Sequence, residues 1–447
     1  MKNKSFFRFW ALAVFVLLGL MSCHFHSDKR LSTLKIYNWG DYIDESVLED
    51  FKVWYKEQTG EDLRIVYQVF DINEIMLTKI ARGKEDFDLV CPSDYIIERM
   101  MKKDLLLPIE RHFGDSTDYT RNIAPYITHE LSKLDYQGRK TSDYAVPYMW
   151  GTTGILYNRK FVPEGDVRSW ACLWNPKYKG KILMKDSYRD VYGTCIIYAN
   201  RDRLARGEVS VDELMNDYSQ ATIDTVEVYM KAMKPLLAGW EADFGKEMMT
   251  KSKLYLNMTW SGDAEWAIQE AGAIGTELAY AIPEEGSTVW YDCWAIPKYA
   301  KNVKAASYFI NYMCRPDIAI RNMEEIGYVS AVSSPEIMEY VQDSTLSGFS
   351  DVSYFFGEAG KSLKVRHTMY PDKRFIEQCA MERDFGDATE AVLDMWSNVK
   401  GDNLNPGILI FIFVCFSALL VLGLYSKYKK RRRQRSIRLL KSRRKRA

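Results

Sequence analysis

Acidic and aromatic residues occur together near the ends of several predicted strands. The groups are Trp39 with Asp41 and Tyr42, Tyr188 with Asp190, Trp260 with Asp263, and Trp290 with Asp292. Carboxylates accept charge-assisted hydrogen bonds from ammonium groups, while aromatic faces cover alkyl carbons and attract cations. The combination favours a binding site for a linear cationic amine, although a single tryptophan in such a pattern more often belongs to a hydrophobic core.

The usual signatures of catalysis and metal binding are missing from the sequence. It contains no G-x-S-x-G, no H-E-x-x-H, and no G-x-G-x-x-G after the first predicted strand. The five histidines are scattered, and the eight cysteines form no C-x-x-C pair. A metal site therefore has little support and no cofactor is indicated, while an exported carboxylate-dependent hydrolase stays as an alternative.

Acidic charge dominates the central part of the chain. Residues 427–446 carry 13 of the 61 Lys and Arg residues, and Lys2, Lys4 and Arg8 add three more near the amino terminus. The remaining 45 basic residues face all 60 acidic residues, so the central part has a net charge of −15. This sign argues against a nucleic-acid partner and suits a cationic ligand.

The amino-terminal residues are typical of an export signal. Three basic residues precede the uncharged apolar run Trp10–Met21, which is too short to span a bilayer comfortably. Leu20–Cys23 resembles the lipobox of bacterial lipoproteins, in which cleavage before the cysteine leaves it as the lipid-modified first residue. We predict a signal peptide over residues 1–22 and lipidation of Cys23; an ordinary signal peptide or an uncleaved anchor is the alternative.

The second apolar run, Gly407–Tyr425, is predicted to form a transmembrane helix. Its 19 residues carry no charge, and at about 1.5 Å per residue they would span about 28 Å. The basic residues that follow place the tail, residues 427–447, in the cytoplasm by the positive-inside rule. The large domain is then outside the cytoplasmic membrane of a bacterium, in the periplasm or beyond; nucleic-acid binding by the tail is the weaker alternative.

Strands and helices alternate at the start of the exported region. The pattern predicts strands at 34–39, 63–69 and 87–91, and helices between Asp44 and Gly60, at 73–82 and at 95–103. This β-α-β-α-β order predicts a parallel sheet, and open parallel sheets bind ligands beyond the carboxyl ends of their strands. The loops Trp39–Tyr42 and Pro92–Tyr95 are therefore candidate binding loops.

A second α/β region is predicted from Val146 to Trp290. The pattern indicates strands at 154–157, 181–184 and 254–259, and helices at 211–218 and 224–233. No low-complexity linker separates the two regions. This continuity favours two lobes that pack against each other across a cleft.

A series of short motifs occurs in the order seen in spermidine/putrescine-binding proteins. The motifs are Tyr37-Asn38-Trp39, Asp88–Ser93, Ser169-Trp170 through Leu173-Trp174 to Tyr178-Lys179-Gly180, Met258–Gly262, Trp290–Asp292 with Ala295–Pro297, and Ile326–Tyr328. Proteins of that family are the periplasmic or lipid-anchored receptors of polyamine ABC importers. The chain resembles them from about Leu34 to Lys400, which is essentially the whole exported domain.

The resemblance implies an α/β fold of the type II periplasmic-binding-protein kind, with two lobes that close on a ligand and without enzyme activity. Lobe 1 would comprise residues 31–145 and 291–338, and lobe 2 residues 146–290 and 339–400. The implied partners are a polyamine, such as putrescine or spermidine, and ABC permease subunits. The implied ligand-binding residues are Trp39, Asp41, Tyr42, Ser93, Tyr95, Asp190, Trp260, Trp290, Asp292, Tyr328 and Glu382, among which Asp292 has the best-preserved motif.

The sequence departs from the family's pattern at three places in the site. Gly40-Asp41 stands where relatives often carry Thr or Ser and then Glu, Ser187 replaces an acid expected three residues before Asp190, and Glu382 falls where some relatives use Gln. The carboxyl-terminal span is also atypical of a freely diffusing receptor. The alternatives are therefore a membrane-tethered receptor for another small cationic amine, or a sensor or adaptor that reports polyamine occupancy.

Overall fold

The computed structural model describes residues 30–83, 85–242, 244–401, 410, 413–419, 421–422 and 425. The predicted signal peptide, Cys23 and the basic tail lie outside this part of the chain, as does part of the predicted span Gly407–Tyr425. Among the described residues, no helix combines the length and the apolar character needed to cross a membrane. The chain divides into two compact units between Val392 and Leu393, and the sheets and site described below belong to the first.

The strands of the described residues are numbered β1 to β12 in chain order. They are β1 Thr33–Trp39, β2 Arg64–Phe70, β3 Leu89–Val90, β4 Leu106–Leu107, β5 Ala145–Asn158, β6 Ile182–Lys185, β7 Leu237–Glu241, β8 Leu256–Trp260, β9 Leu278–Ala281, β10 Ser287–Pro297, β11 Val329–Ser330 and β12 Cys379–Ala380. All the predicted strands are present. The predicted strand at 154–157 is part of the much longer β5.

The α-helices of the described residues are numbered α1 to α16. They are α1 Ser46–Thr59, α2 Asn73–Ala81, α3 Asp94–Lys102, α4 Pro125–Ser132, α5 Tyr188–Ala199, α6 Arg201–Ala205, α7 Val211–Met215, α8 Gln220–Met233, α9 Gly245–Thr250, α10 Ser261–Ala273, α11 Val303–Met313, α12 Pro316–Ile326, α13 Pro335–Tyr340, α14 Ser353–Phe356, α15 Lys373–Ile376 and α16 Thr389–Gly401. The predicted helix at 211–218 ends early, at Met215, and the one predicted at 224–233 begins earlier, at Gln220.

The first sheet has the strand order β2-β1-β3-β10-β5. Strand β1 pairs in parallel with both β2 and β3, which confirms the parallel arrangement predicted from the β-α-β-α-β pattern. Strand β10 runs antiparallel to β3 and to β5. The carboxyl ends of β1 and β3 therefore lie side by side, and the loops that follow them reach the same edge of the sheet.

The second sheet continues the order as β5-β8-β6-β7, and β9 pairs with β5 on the other side. Strand β6 is parallel to both β7 and β8. Lys185, Glu241 and Trp260 are the last residues of these three strands. Their side chains therefore start from one edge of the second sheet, the edge where parallel sheets bind ligands.

Strand β5 joins the two sheets. Its first half pairs with β10 as far as Thr152, opposite Val289, and its second half begins to pair with β8 at Thr153, opposite Trp260. The register between β5 and β10 shifts between Asp292 and Cys293. Such an irregularity bends a strand and redirects a side chain, and here it occurs at the residue with the best-preserved predicted motif.

Each sheet has its own hydrophobic packing. The predicted apolar face of α1 is buried, and Phe51, Trp54 and Tyr55 belong to a large cluster with the side chains of the first sheet. A smaller cluster lies against the second sheet and includes Leu156 and Leu183. Residues from 341 to 381 also contribute to the large cluster, whereas the sequence assigned residues 339–400 to lobe 2; the division into lobes stays a prediction.

Candidate ligand-binding site

The carboxylate of Asp292 is held by two hydroxyl groups from the first sheet's loops. Tyr42 Oη donates a hydrogen bond to Oδ2 at 2.8 Å, and Ser93 Oγ donates to Oδ1 at 2.7 Å. Ser93 and Asp292 also form a backbone bridge, which fixes the loop after β3 beside β10. Three predicted site residues therefore meet at one point, because both candidate loops reach the carboxylate from the same edge of the sheet.

Burial governs the protonation of Asp292. The residue is only 6% exposed, and desolvation raises the pKa of its carboxyl to about 6, although the hydrogen bonds from Ser93 and Tyr42 act in the opposite direction. No cation is among the causes of this shift. An ammonium group brought into contact with Asp292 would favour its ionised form and would itself gain a charged acceptor.

Asp190 is the corresponding carboxylate of the second sheet. It lies in the first turn of α5 and is 8% exposed. Thr153 Oγ1 donates to its Oδ1 at 2.8 Å, and Trp260 Nε1 donates to the same atom at 3.2 Å. Both donors use Oδ1. Ser187, which replaces an expected acid, accepts a hydrogen bond from the Asp190 backbone N–H as the N-cap of α5.

Three aromatic rings pack together beside Asp292. The ring of Tyr328 packs edge to face against Tyr42, with centroids 5.4 Å apart, and against Trp290 at 5.6 Å. Gly262 permits this arrangement, because a Cβ at that position would lie 2.4 Å from Cδ1 of Tyr328. Tyr42, Trp290 and Tyr328 therefore form a continuous aromatic surface beside Asp292.

Trp39 and Asp41 lie at the margin of this arrangement. Trp39 is partly buried and packs against Phe70, with ring centroids 4.5 Å apart. Asp41 is exposed and has a positive φ of 49°. The structure does not bring the Asp41 carboxylate into the hydrogen-bond network of Asp292.

Tyr95 and Glu382 lie with a buried arginine. Arg189 is 4% exposed, and its Cζ lies 3.6 Å from the centroid of the Tyr95 ring and 4.0 Å from that of Phe385. Glu382 is also buried, and desolvation raises the pKa of its carboxyl well above the usual range, with the charge of Asp190 adding to the shift and that of Arg189 opposing it. Glu382 Oε1 has no hydrogen-bond partner among the described residues.

A sequence profile described as bacterial extracellular solute-binding protein matches residues 51–344, more than half of the chain. The chain belongs to this family. Solute-binding proteins of this kind bind their ligand without transforming it, so the family is not one of enzymes.

Individual solute-binding proteins match over most of their length. The spermidine/putrescine-binding periplasmic proteins of Escherichia coli and Salmonella typhimurium are 28% and 29% identical over 395 residues, covering 86% of this chain and 95% of theirs. The substrate-binding protein PotD of a Streptococcus pneumoniae spermidine/putrescine ABC transporter has a TM-score of 0.62 at 27% identity, over 83% of this chain and 98% of that one. The Tp0655 lipoprotein of Treponema pallidum shares the fold, with a TM-score of 0.63 at 22% identity over 82% and 99%.

Sequence reasoning missed several polar groups of this candidate site. Glu74 Oε1 accepts hydrogen bonds from Tyr188 Oη at 2.6 Å and from Tyr95 Oη at 3.3 Å. Asn73 donates to Ser93 Oγ at 3.1 Å and thereby orients the hydroxyl that holds Asp292. Asn73 and Glu74 stand at the start of α2, directly after β2. That position could have indicated them as site residues, because it places them at the binding edge of the sheet.

The two buried cations Lys185 and Arg189 were also missed. They lie at the end of β6 and in the first turn of α5, on either side of the Asp186–Ser187 pair, and nothing in the local sequence pattern distinguishes them from surface cations. The Nζ of Lys185 lies 2.7 Å from Oδ2 of Asp263, the acid that the sequence pattern grouped with Trp260. Asp263 therefore already has a cation from the protein.

Proposed function

We propose that this solute-binding protein is the extracytoplasmic receptor of an ABC importer for a linear polyamine of the putrescine and spermidine class. The observation that carries the proposal is a pair of buried carboxylates, Asp292 and Asp190, whose hydrogen-bond donors are neutral. The nearby acid Asp263, by contrast, is paired with Lys185. Buried carboxylates normally have a cation, so these two are suited to receive one from a ligand.

The two carboxylates belong to different sheets. Asp292 lies on the β10 segment that pairs in the first sheet, and Asp190 lies on α5, directly after β6 of the second sheet. A ligand with an ammonium group at each end would connect them, and closure of the lobes would follow binding. Each charge-assisted hydrogen bond would contribute roughly 1.5 to 3 kcal/mol.

Aromatic side chains would cover the alkyl part of the ligand. Tyr42, Trp290 and Tyr328 would form one wall, with Trp260 on the side of Asp190, and each cation–π contact would add about 0.5 to 2 kcal/mol. Ser93, Tyr95, Trp39 and Glu382 complete the proposed set, and Asp41 is its outermost member. After the costs of association, these contacts are sufficient for roughly −8 kcal/mol, which corresponds to micromolar affinity.

The proposed partners and location follow from the relatives and from the ends of the chain. The similar proteins are described as periplasmic or as parts of spermidine/putrescine ABC transporters, so ABC permease subunits would receive the ligand. We propose that a lipid on Cys23 and a span at Gly407–Tyr425 attach the receptor to the membrane, with residues 427–447 in the cytoplasm. The sequence patterns described above support these anchors.

Isothermal titration calorimetry of the full chain in detergent tests the function. Putrescine, cadaverine, spermidine and spermine are titrated separately, with lysine and glycine betaine as cationic controls that carry a carboxylate. At least one polyamine is expected to bind with micromolar or tighter affinity and more weakly as salt is added. Tighter binding of a control than of every polyamine would favour another small cationic amine as the ligand, and no heat with any polyamine would refute the proposal.

A further inference from the structure

An internal ammonium group lies at the edge of the second sheet, where a ligand ammonium is expected. Lys185 is 1% exposed. Its Nζ contacts Asp263 Oδ2 at 2.7 Å, the Ala242 carbonyl oxygen at 2.8 Å and Glu241 Oε1 at 3.3 Å. It also lies 4.1 Å from the centroid of the Trp260 ring. Carboxylates and an aromatic face around an ammonium are the same surroundings that the proposed ligand requires.

Lys185 shares two groups with the proposed binding site. Trp260, whose ring faces the ammonium, donates its indole N–H to Asp190. Asp263, which pairs with the ammonium, accepts a hydrogen bond from Tyr328 Oη at 3.1 Å. Since Tyr328 also contacts Tyr42 and Trp290, the lysine is connected to both proposed ammonium positions.

The charge of Lys185 is stable in this position. Burial by itself would lower the pKa of the lysine, but the charges of Asp263 and Glu241 outweigh burial, so the pKa is raised. The side chain therefore keeps its proton at any physiological pH. Glu382 is another acid with a protein cation nearby, because the charge of the buried Arg189 acts on its carboxyl.

We propose that Lys185 fills an ammonium subsite at the second-lobe end of the cleft, and so restricts the receptor to short ligands with two ammonium groups. The inference rests on the proposed function. Asp292 and Asp190 would bind the two ammonium groups of a diamine. A third ammonium, as in spermidine, would find the position between Asp263 and Glu241 already occupied by the Lys185 ammonium and would be repelled by that fixed positive charge at close range. The receptor is therefore expected to bind putrescine or cadaverine more tightly than spermidine.

Calorimetry of the full chain in detergent with putrescine and spermidine tests the selectivity. For the unmodified chain, the Kd for spermidine should exceed the Kd for putrescine by about tenfold or more. In Lys185→Met, which keeps the length of the side chain but removes its charge, Asp263 and Glu241 become acceptors for the third ammonium. The ratio of the two Kd values should then shift toward spermidine by at least about tenfold.

Two further variants separate selectivity from folding. Lys185→Met/Glu241→Gln removes one charge of each sign and retains Asp263, so it should fold and show the same shift if the single variant does not fold. Lys251→Met is the matched control, since Lys251 is exposed and its Nζ pairs with Glu247 at 2.9 Å rather than with Asp263; its ratio should stay unchanged. Binding of both amines with an unshifted ratio in the Lys185 variants, or a preference of the unmodified chain for spermidine, overturns this inference alone. No binding of either amine overturns this inference, and only the absence of binding by cadaverine and spermine as well would overturn the proposed function with it.

Discussion

Replacement of Asp292 by Asn should have opposite effects on the stability of the empty protein and on ligand binding. The carboxylate is buried without a cation among the groups that shift its pKa. Its ionised form therefore costs free energy until a ligand supplies the cation. Asn keeps the size of the side chain, and the hydroxyls of Tyr42 and Ser93 can rotate to suit the amide.

The size of the stability effect follows from the pKa. The carboxyl of Asp292 has a pKa raised from 3.8 to about 6 in the folded, empty protein, a difference of about 2 units, and each unit corresponds to about 1.4 kcal/mol. The native state thus holds this proton more tightly than the unfolded state. The contribution of this proton to the free energy of unfolding is complete below pH 4. About 3 kcal/mol of it is lost in total as the pH rises through about 6.

Thermal unfolding of the full chain in detergent, without ligand, measures this effect. The difference between Asp292→Asn and the unmodified chain should be smallest near pH 4 and should grow in favour of the variant up to about pH 7. Comparing the two proteins at each pH cancels the contributions of all other titrating groups to the stability. Asp62→Asn, just before β2 of the first sheet, is the matched control, because its carboxylate is exposed and pairs with Lys56 at the surface, and its difference from the unmodified chain should not change in this way.

Calorimetry with the best polyamine measures the opposite effect. At pH 7.5 the variant should bind at least about tenfold more weakly, since it loses a charge-assisted hydrogen bond of roughly 1.5 kcal/mol or more. Asp62→Asn should bind normally. Unchanged affinity in Asp292→Asn, together with a stability difference that does not vary with pH, would show that Asp292 neither carries a destabilising charge nor contacts the ligand.

Further measurements test the rest of the site and the anchors. Polyamine affinity of the unmodified chain should rise about tenfold between pH 5 and pH 7 by calorimetry, because Asp292, with a pKa of about 6, must be ionised to bind; a flat profile would contradict this. Trp290→Ala should weaken binding and also lower the unfolding temperature, since its ring packs on Tyr328; normal binding would place the ligand elsewhere. With Cys23 replaced by Ala, the protein should stay in the membrane fraction through Gly407–Tyr425, and its release into the soluble fraction would exclude a span.

Much of the local architecture could be predicted from the sequence because local periodicity specifies it. The spacing of Phe51, Trp54 and Tyr55 requires one buried face on α1, and the structure buries all three. The alternation of strands and helices likewise predicted the parallel pairing of β1 with β2 and β3. The exact limits of β5 could not be predicted, since its pairing changes from one sheet to the other between Thr152 and Thr153, and pairing depends on residues far along the chain.

The sequence by itself determined which chemical groups are available: acids beside aromatics at strand ends, in a chain whose central part is acidic. Only the tertiary structure decided which of those acids still lack a cation. Tyr42 reaches Asp292 across 250 residues, whereas Lys185 reaches Asp263 and removes it from the candidate ligand-binding acids. Whether a buried carboxylate is free or paired depends on the positions of all surrounding side chains, and these are fixed by folding of the whole domain rather than by neighbours in the sequence.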